Sequence, residues 1–564
     1  MEKIKVLAIT NEVSGSHFHR INYPLNKING LDLDGKQIEI EFKKFDQDVL
    51  KGEFDILVFH WSLEVSVQEL GQLQAKGVKI LYSVDDFWQF SDTHPYYTSP
   101  IAVNYVQNMV IQNLLLADAV MVTTERLALQ VMKYNTNVAI LPNFLDPADY
   151  SLVKTESDKL RIGLLGSVSH VPDWKLLKGV INRIAKNKEI AEKCEFYICG
   201  VDESDPAWKE VIKMFTVKKN LKVVIKNSLP VDRYMELYND IDVVLLPLES
   251  TEFNVCKSAL KLMECTISKT IPVGSILYTG KELKGIAVAE SALQYEETIL
   301  RLLDKTHRDI ILNHIVNVNL KDADFQKRFE NTKSLIGALV NEDLSPKIDN
   351  LDIYSVVYDE NQIVEYTKYD NSAIRILEQK SWRFEYNPII DILSKENKEY
   401  IGVFSWKFLN KTGIMKNILL KTLQHKKFEE YEFINLSRRY WKTTKEYLEF
   451  SYNNHPKLEE LLKRVLLHLG KEYNFDKENY TYSNFFIMKT ENYKEYVEKW
   501  VIPALEFMEN DKEYFEDANY VSGIAPEKLK EMTGLDHYTF HTFVLERLIC
   551  FYLHEKQLKI LNIV

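Results

Sequence analysis

The stretch Phe253–Gly274, "FNVCKSALKLMECTISKTIPVG", spaces Lys257, Lys261 and Glu264 at intervals of four and three residues. On one continuous helix they share a face, beside an apolar stripe of Ala259, Leu260, Met263 and Ile267. Asn254 can cap that helix, leaving its first turn, with Ser258 in it, open to an anion. Two ammonium groups there suit a diphosphate. A carboxylate one turn deeper can accept two hydrogen bonds from a vicinal diol such as a ribose. Together these groups describe a nucleoside diphosphate. The pattern fits equally a solvated face carrying a Lys261–Glu264 pair.

A second candidate is "RIGLLGSVSHVPDWKLL", Arg161–Leu177. A strand ends at Gly166–Ser167, a polar turn follows, and a helix starts near Pro172–Asp173. Glycine at a strand-to-helix turn lets backbone amides approach an anion. Many α/β turns look alike, so this segment gains meaning only beside the first.

The elements that must hold these groups alternate. "IKVLAIT", "FDILVFHW", "VKILYSV", "AVMVTT" and "VAILPN" are short apolar runs with helical stretches among them, and a second series runs from "LRIGLLGS" to "TIPVGS". Such alternation implies parallel, doubly wound sheets. The expected fold class is α/β: two tandem Rossmann-like domains at residues 1–153 and 154–340, with a ligand cleft between them. The polar stretch at 340–352 reads as a linker. A third, helix-rich α/β domain at 350–564 has strands in "IYSVVYD", "YIGVFSWKF" and "YEFINL". Its helices include "HPKLEELLKRVLLHLG", stopped at Gly470, and one kinked near Pro503.

At 564 residues the chain needs several cores, and its aromatic content of 12% excludes long disorder. A net charge of −11 disfavours a nucleic-acid or membrane binder, though a local basic cleft could hide in the average. The five cysteines show neither metal spacing nor a disulfide framework, and "MEKIKVLAIT" reads as a strand, not a signal peptide. A cytoplasmic protein is expected, with peripheral membrane contact left open.

Several segments then resemble one family. "PLESTEFNVCKSALKLMECTISKTIPVGS" resembles the nucleotide-sugar segment of GT-B glycosyltransferases of the family-4 and family-1 types. "ADAVMVTTERLALQVMKYNTNVAILPNFLD", "ILYSVDDFWQFSDTHPYY" and "SGSHFHRINYPLNKI" resemble their domain crossing at Pro142–Asn143, an acidic loop and the first acceptor-side loop. The similarity covers about residues 1–340 in the right order. It implies a UDP- or other NDP-sugar donor, Lys257 near the donor phosphates, and Glu264 as the second carboxylate of an E-x7-E motif, holding the ribose. It implies retention of anomeric configuration, no obligatory metal, and an acceptor side lined by His17, His19, Arg20, Asp85 and Asp86. The motif's first glutamate falls on Cys256, so donor-sugar contacts must come from elsewhere, with Glu252 and Asn254 as candidates.

In the tail, "YIGVFSWKF", "YTYSNFFIMKTENYKEYVEKWVIPALEFME" and "HYTFHTFVLERLICFYL" resemble a GT-A-like bacterial transferase group associated with capsular polysaccharide. Ser483, Asn484, Glu546 and Arg547 carry that resemblance, and His541 joins them as a candidate base. A metal-binding D-x-D is not evident, which leaves the need for a divalent ion there undecided. The expected function is transfer of a sugar from a nucleotide-sugar to a glycan or lipid-linked acceptor, with two modules allowing bifunctionality. The alternatives are a phage-type nucleic-acid base glycosyltransferase and a non-catalytic sugar- or nucleotide-binding module with a degenerate donor site.

Overall fold

A computed structural model describes residues 2–10, 14–61, 65–90, 94, 97, 99–216, 220–279, 283–323, 325–341, 348–357, 373–376, 381–412, 414, 416–437, 440–475, 478–518, 520 and 526–563. Residues 342–347 of the expected linker lie outside this set. The chain divides into two compact units, residues 1–67 with 77–344, and 68–76 with 345–564.

The first unit holds two sheets. Strands β1 (Glu2–Ile9), β2 (Asp32–Leu33), β3 (Lys36–Lys43), β4 (Ile56–His60), β5 (Lys79–Val84), β6 (Ala119–Val122) and β7 (Val138–Ile140) lie in the order β2-β3-β1-β4-β5-β6-β7. All its neighbours pair parallel except β2 with β3. Strands β8 (Leu160–Leu165), β9 (Cys194–Val201), β10 (Lys222–Asn227), β11 (Val243–Leu246), β12 (Ile271–Gly274) and β13 (Ala287–Val288) form a parallel sheet, β10-β9-β8-β11-β12-β13. The central strands β4, β6, β8, β11 and β12 are buried along their whole length, as strands covered by helices on both faces must be. The tandem α/β organisation expected of a GT-B fold is present.

In each sheet the strand order reverses beside its first strand, β1 lying between β3 and β4, and β8 between β9 and β11. A crevice opens outside the carboxyl ends of the strands at such a switch point, because successive connections leave on opposite faces. The chain crosses between the sheets at Leu141–Phe144 and returns near residue 323. The helix Phe325–Asn341 then places Ile336 and Leu339 in one core with Ile4, Val6 and Ile38 of the first sheet.

The second unit holds a mixed sheet of β14 (Leu351–Val357), β15 (Ala373–Ile376), β16 (Tyr400–Ser405), β17 (Phe433–Asn435), β18 (Phe486–Lys489) and β19 (Ile560–Asn562), ordered β15-β14-β16-β18-β17-β19. Only β18 runs antiparallel to its neighbours. The leucine-rich helix Leu458–His468 buries Leu458, Leu461, Leu462, Val465 and Leu466, and Gly470 at φ 64° follows it. The irregularity near Pro503 is a π-helical turn, Val497–Val501, running into the α-helix Ile502–Glu509. Among the described residues, no helix is long and apolar enough to cross a membrane.

Candidate functional site

The carboxyl ends of both sheets in the first unit face one cleft of about 1070 Å³. Ser14–Ser16 after β1, Trp61 after β4, and Asp85 and Asp86 after β5 line it from the first sheet. Gly166–His170 after β8, Gly200 in β9 and Ser228 after β10 line it from the second. Of the residues expected at the donor site, Gly166, Ser167, Lys257, Ser258, Lys261 and Glu264 all line this cleft.

The single helix expected over Phe253–Ile267 is instead two. Glu252–Cys256 ends at Lys257, whose backbone is extended (φ −60°, ψ 149°), and a second helix spans Leu260–Ile267. The cap of the first is Thr251, whose side chain accepts from the Asn254 amide. Asn254 is therefore no cap. Its side-chain amide donates to Asp173 Oδ1 (2.8 Å) and to the Glu249 carbonyl (2.9 Å), and it does not line the cleft. The kink turns Lys257 out of the stripe and toward the glycine turn, where its Nζ lies 3.5 Å from His170 Nδ1 and 5.0 Å from the Phe253 ring centroid. The two motifs singled out in the sequence thus meet.

Gly166 (φ 155°) and Gly200 (φ 90°) hold the turn at conformations that side chains rarely adopt, and a Cβ on Gly200 would stand 3.0 Å from the Gly166 carbonyl oxygen. His170 also bonds Asp173 (3.1 Å), and burial, reinforced by Lys257, pushes its imidazole down to about 4. Asp173 gathers three segments, since it also accepts from the Glu249 amide (2.8 Å) and from Asn254.

Glu264 is 1% exposed. Its Oε1 accepts from Tyr234 (2.8 Å), and its Oε2 from Lys261 (2.8 Å) and the Tyr238 hydroxyl. Burial pushes this carboxyl up, but the Lys261 charge and these donors outweigh it and hold it below its usual range. It is a buried anion paired with Lys261, and three of about four lone-pair positions are filled. The tyrosines, from a turn of 3-10 helix at Tyr234–Asp240, were not anticipated.

On the acceptor side the expected residues separate. His19, Asp85 and Asp86 line the cleft; His17 and Arg20 do not. His17 bonds the Ile9 carbonyl (2.8 Å). Arg20, buried in a π-helical turn at Phe18–Asn22, donates to Ser83 Oγ (3.1 Å), the Leu141 carbonyl and Asn143 Oδ1 (3.1 Å). It braces the crossing between sheets. Burial pushes the Asp85 carboxyl up, opposed by Arg20, and His60 Nε2 stands 3.5 Å from it. Burial brings His19 to about 4, with Glu264 opposing and Lys261 and Arg20 adding to the fall. His94, also unanticipated, stacks on Phe90 (4.7 Å) and meets Phe253 edge-on (4.7 Å), and burial holds it near 4.

Cys256 is fully buried and outside the cleft. Glu252 is held by Arg126 (2.9 and 3.1 Å) and Gln130 (2.9 Å), also away from the cleft. Neither Glu252 nor Asn254, the candidates for donor-sugar contacts, lines the cleft. All five cysteines are buried thiols. Among the described residues, no group of three or more His, Cys, Asp or Glu is placed to hold a metal ion.

In the second unit, Ser483, Asn484, Glu546 and Arg547 line a separate cavity of about 460 Å³. Ser483 and Asn484 both take positive φ (57° and 54°). His541 is not part of it. It is fully buried, with Nε2 on the Trp382 carbonyl (2.7 Å) and Nδ1 on Thr539 Oγ1 (2.6 Å), so neither ring nitrogen can take a proton from an acceptor.

No protein-family model and no curated protein matches the chain. Among solved structures it is similar to TarM, with 14% identity over 50% of this chain and 54% of TarM and a TM-score of 0.38, so the match spans about half of that protein. It is similar to an alpha-glucosyltransferase solved with UDP and a 13-mer DNA containing a HMU base, with 12% identity over 60% of this chain and 100% of that one and a TM-score of 0.42. It is also similar to the sucrose-phosphate synthase of Thermosynechococcus elongatus, with 10% identity over 60% and 99% and a TM-score of 0.44.

Proposed function

We propose that the first unit is a glycosyltransferase, with residues 154–340 holding a nucleoside-diphosphate sugar and residues 1–153 presenting the acceptor. The observation that carries this reading is the meeting of Lys257 with the Gly166–His170 turn in the same cleft as the buried anion Glu264. A diphosphate placed against the turn's amides meets Lys257, and the ribose reaches Glu264. A UDP-sugar is the donor that the resemblance to GT-B glycosyltransferases implies.

Glu264 cannot accept both hydroxyls of a diol with three donors already on it. Lys261 is the one able to leave, because its side chain is 22% exposed and flexible, while the two phenols are fixed in the protein. Donor binding therefore moves the Lys261 ammonium from Glu264 toward the phosphates. The chemical step breaks the bond from the anomeric carbon to the diphosphate oxygen and forms one from that carbon to an acceptor hydroxyl oxygen, whose proton passes to the departing diphosphate or to solvent. Lys257, Lys261 and the turn's amides stabilise the charge that develops on that oxygen, and such differential stabilisation raises kcat. His19, Asp85 and Asp86 face the acceptor.

The test is titration with UDP followed by a transfer screen over UDP-sugars, with glycan, lipid-linked sugar and duplex DNA as acceptors. Binding of UDP that is weakened in Glu264→Gln, together with transfer to one acceptor class that is slowed in Lys257→Ala, supports the reading. UDP binding without transfer to any acceptor or to water would make the unit a nucleotide-binding module. Absence of UDP binding would remove the proposal.

A further inference from the structure

The cavity of the second unit lies at the carboxyl end of β16, where Ser405, Trp406 and Lys407 leave the sheet. One wall is aromatic. Trp441 packs against Tyr447 (5.1 Å) and Phe450 (5.0 Å), and all three line the space. Flat apolar faces of this kind accept the C–H face of a pyranose or another ring.

The other wall is cationic. Lys407, Lys411 and Arg547 line it. Arg547 is 7% exposed, with one guanidinium nitrogen on Glu546 (2.8 Å) and another on Ser451 Oγ (3.2 Å). Among the described residues, its Nε and the buried Tyr447 hydroxyl have no hydrogen-bond partner. Lys411 donates to the Ser483 hydroxyl (2.9 Å), and neither it nor Lys407 makes a salt bridge among the described residues. Burial and the neighbouring Lys411 charge both lower the Lys407 ammonium, with Glu385 opposing. Two half-buried lysines without an ion pair among the described residues, sharing the wall with Glu385 and Glu546, and two buried polar atoms without a partner form an arrangement that a bound anion relieves.

We propose that this cavity binds a phosphorylated hexose, its ring on Trp441 and Phe450 and its phosphate among Lys407, Lys411 and Arg547. The site is separate from the cleft of the first unit and does not depend on the function proposed for it. The phosphoryl-hexose could belong to a free sugar phosphate or to a sugar nucleotide.

The experiment is calorimetric titration of the full chain with a panel of hexose 1- and 6-phosphates, UDP-glucose and methyl glucoside. It compares the wild type with Lys407→Gln, Lys411→Gln, Arg547→Gln and Lys257→Ala. A hexose phosphate should bind the wild type and Lys257→Ala alike, and methyl glucoside far more weakly. Each loss of a cation should weaken it about ten- to a hundredfold, the range for a hydrogen bond to a charged group. Arg547 is buried, so the two half-buried lysines decide the matter if Arg547→Gln unfolds. A second equivalent of UDP-glucose bound by the wild type and by Lys257→Ala, and lost when Lys411→Gln is introduced into either, identifies a sugar nucleotide as the source; its absence identifies the free sugar phosphate. The proposal is overturned if no hexose phosphate binds, if both lysine variants bind as the wild type does, or if Lys257→Ala abolishes binding.

Discussion

Replacing Glu264 by glutamine keeps the shape of the side chain and removes its charge. Lys261 loses its ion-pair partner, and one of the two donors to Oε2 meets an amide NH2 instead of an acceptor. Breaking a buried pair from one side costs about 3–5 kcal/mol. Lys261 retains part of its hydration, which reduces this to about 1–3 kcal/mol. For a unit of this size that is a fall in Tm of about 1–4 °C. The folded-state carboxyl lies below its usual 4.5, so its stabilisation is fully present above that value and is lost as pH falls through the folded pKa. The gap between wild type and Glu264→Gln must therefore be widest near neutrality and close in acid. UDP affinity should fall about ten- to a hundredfold, the range for hydrogen bonds to a charged acceptor. Thermal unfolding across pH, with calorimetry for UDP, measures all three. A variant that matches the wild type in Tm at neutral pH, or a gap that persists unchanged in acid, would refute the account of Glu264 as a buried anion. Unchanged UDP affinity would remove it from the ribose.

Lys257→Ala should lower kcat about ten- to a thousandfold with a smaller change in KM, because the lysine acts on charge that develops in the transition state; an unchanged kcat would place it outside the reaction. Gly200→Ala should destabilise the unit by about 1–3 kcal/mol in chemical denaturation, since a side chain at φ 90° is strained and its Cβ crowds the Gly166 carbonyl; wild-type stability would show that the turn yields. His19, His94 and His170 each titrate near 4 in the fold against an ordinary 6.5, so the unfolded chain binds more protons between those values. Stability must then drop as pH falls from 6.5 toward 4, and a Tm that is flat over that window would contradict their burial as neutral rings.

The sequence revealed the elements more readily than the contacts that bend them. Short unbroken apolar runs announced the parallel strands, because strands covered on both faces must be apolar throughout. The break at Lys257 had no local signal, neither glycine nor proline. It goes with bonds from distant residues: Thr124 Oγ1 donates to the Cys256 carbonyl (2.9 Å), and Asn254 is drawn to Asp173 (2.8 Å). Tyr234 and Tyr238 stay hidden for the same reason, since they reach Glu264 from about thirty residues upstream. Their spacing of four, just before β11, is the one local hint. His541 misled because its neighbours in sequence, Glu546 and Arg547, do line the tail cavity, while its own ring turns inward to Trp382 and Thr539.

Asn143 sits where the chain passes from one sheet to the other, and each of its polar groups serves a different segment. Its Oδ1 accepts from Arg20 of the acceptor-side loop, its Nδ2 donates to Ser258 beside Lys257, and its carbonyl accepts from Arg328 of the returning helix (2.9 Å). On the function proposed for the cleft, a displacement of Ser258 by the donor would reach Arg20 through this one side chain. Whatever free energy couples the two substrates must act equally in both directions, so a donor that tightens acceptor binding is itself tightened by the acceptor. Measuring each affinity with and without the other substrate, in the wild type and in Asn143→Ala, gives the size of that coupling and the share this one amide carries.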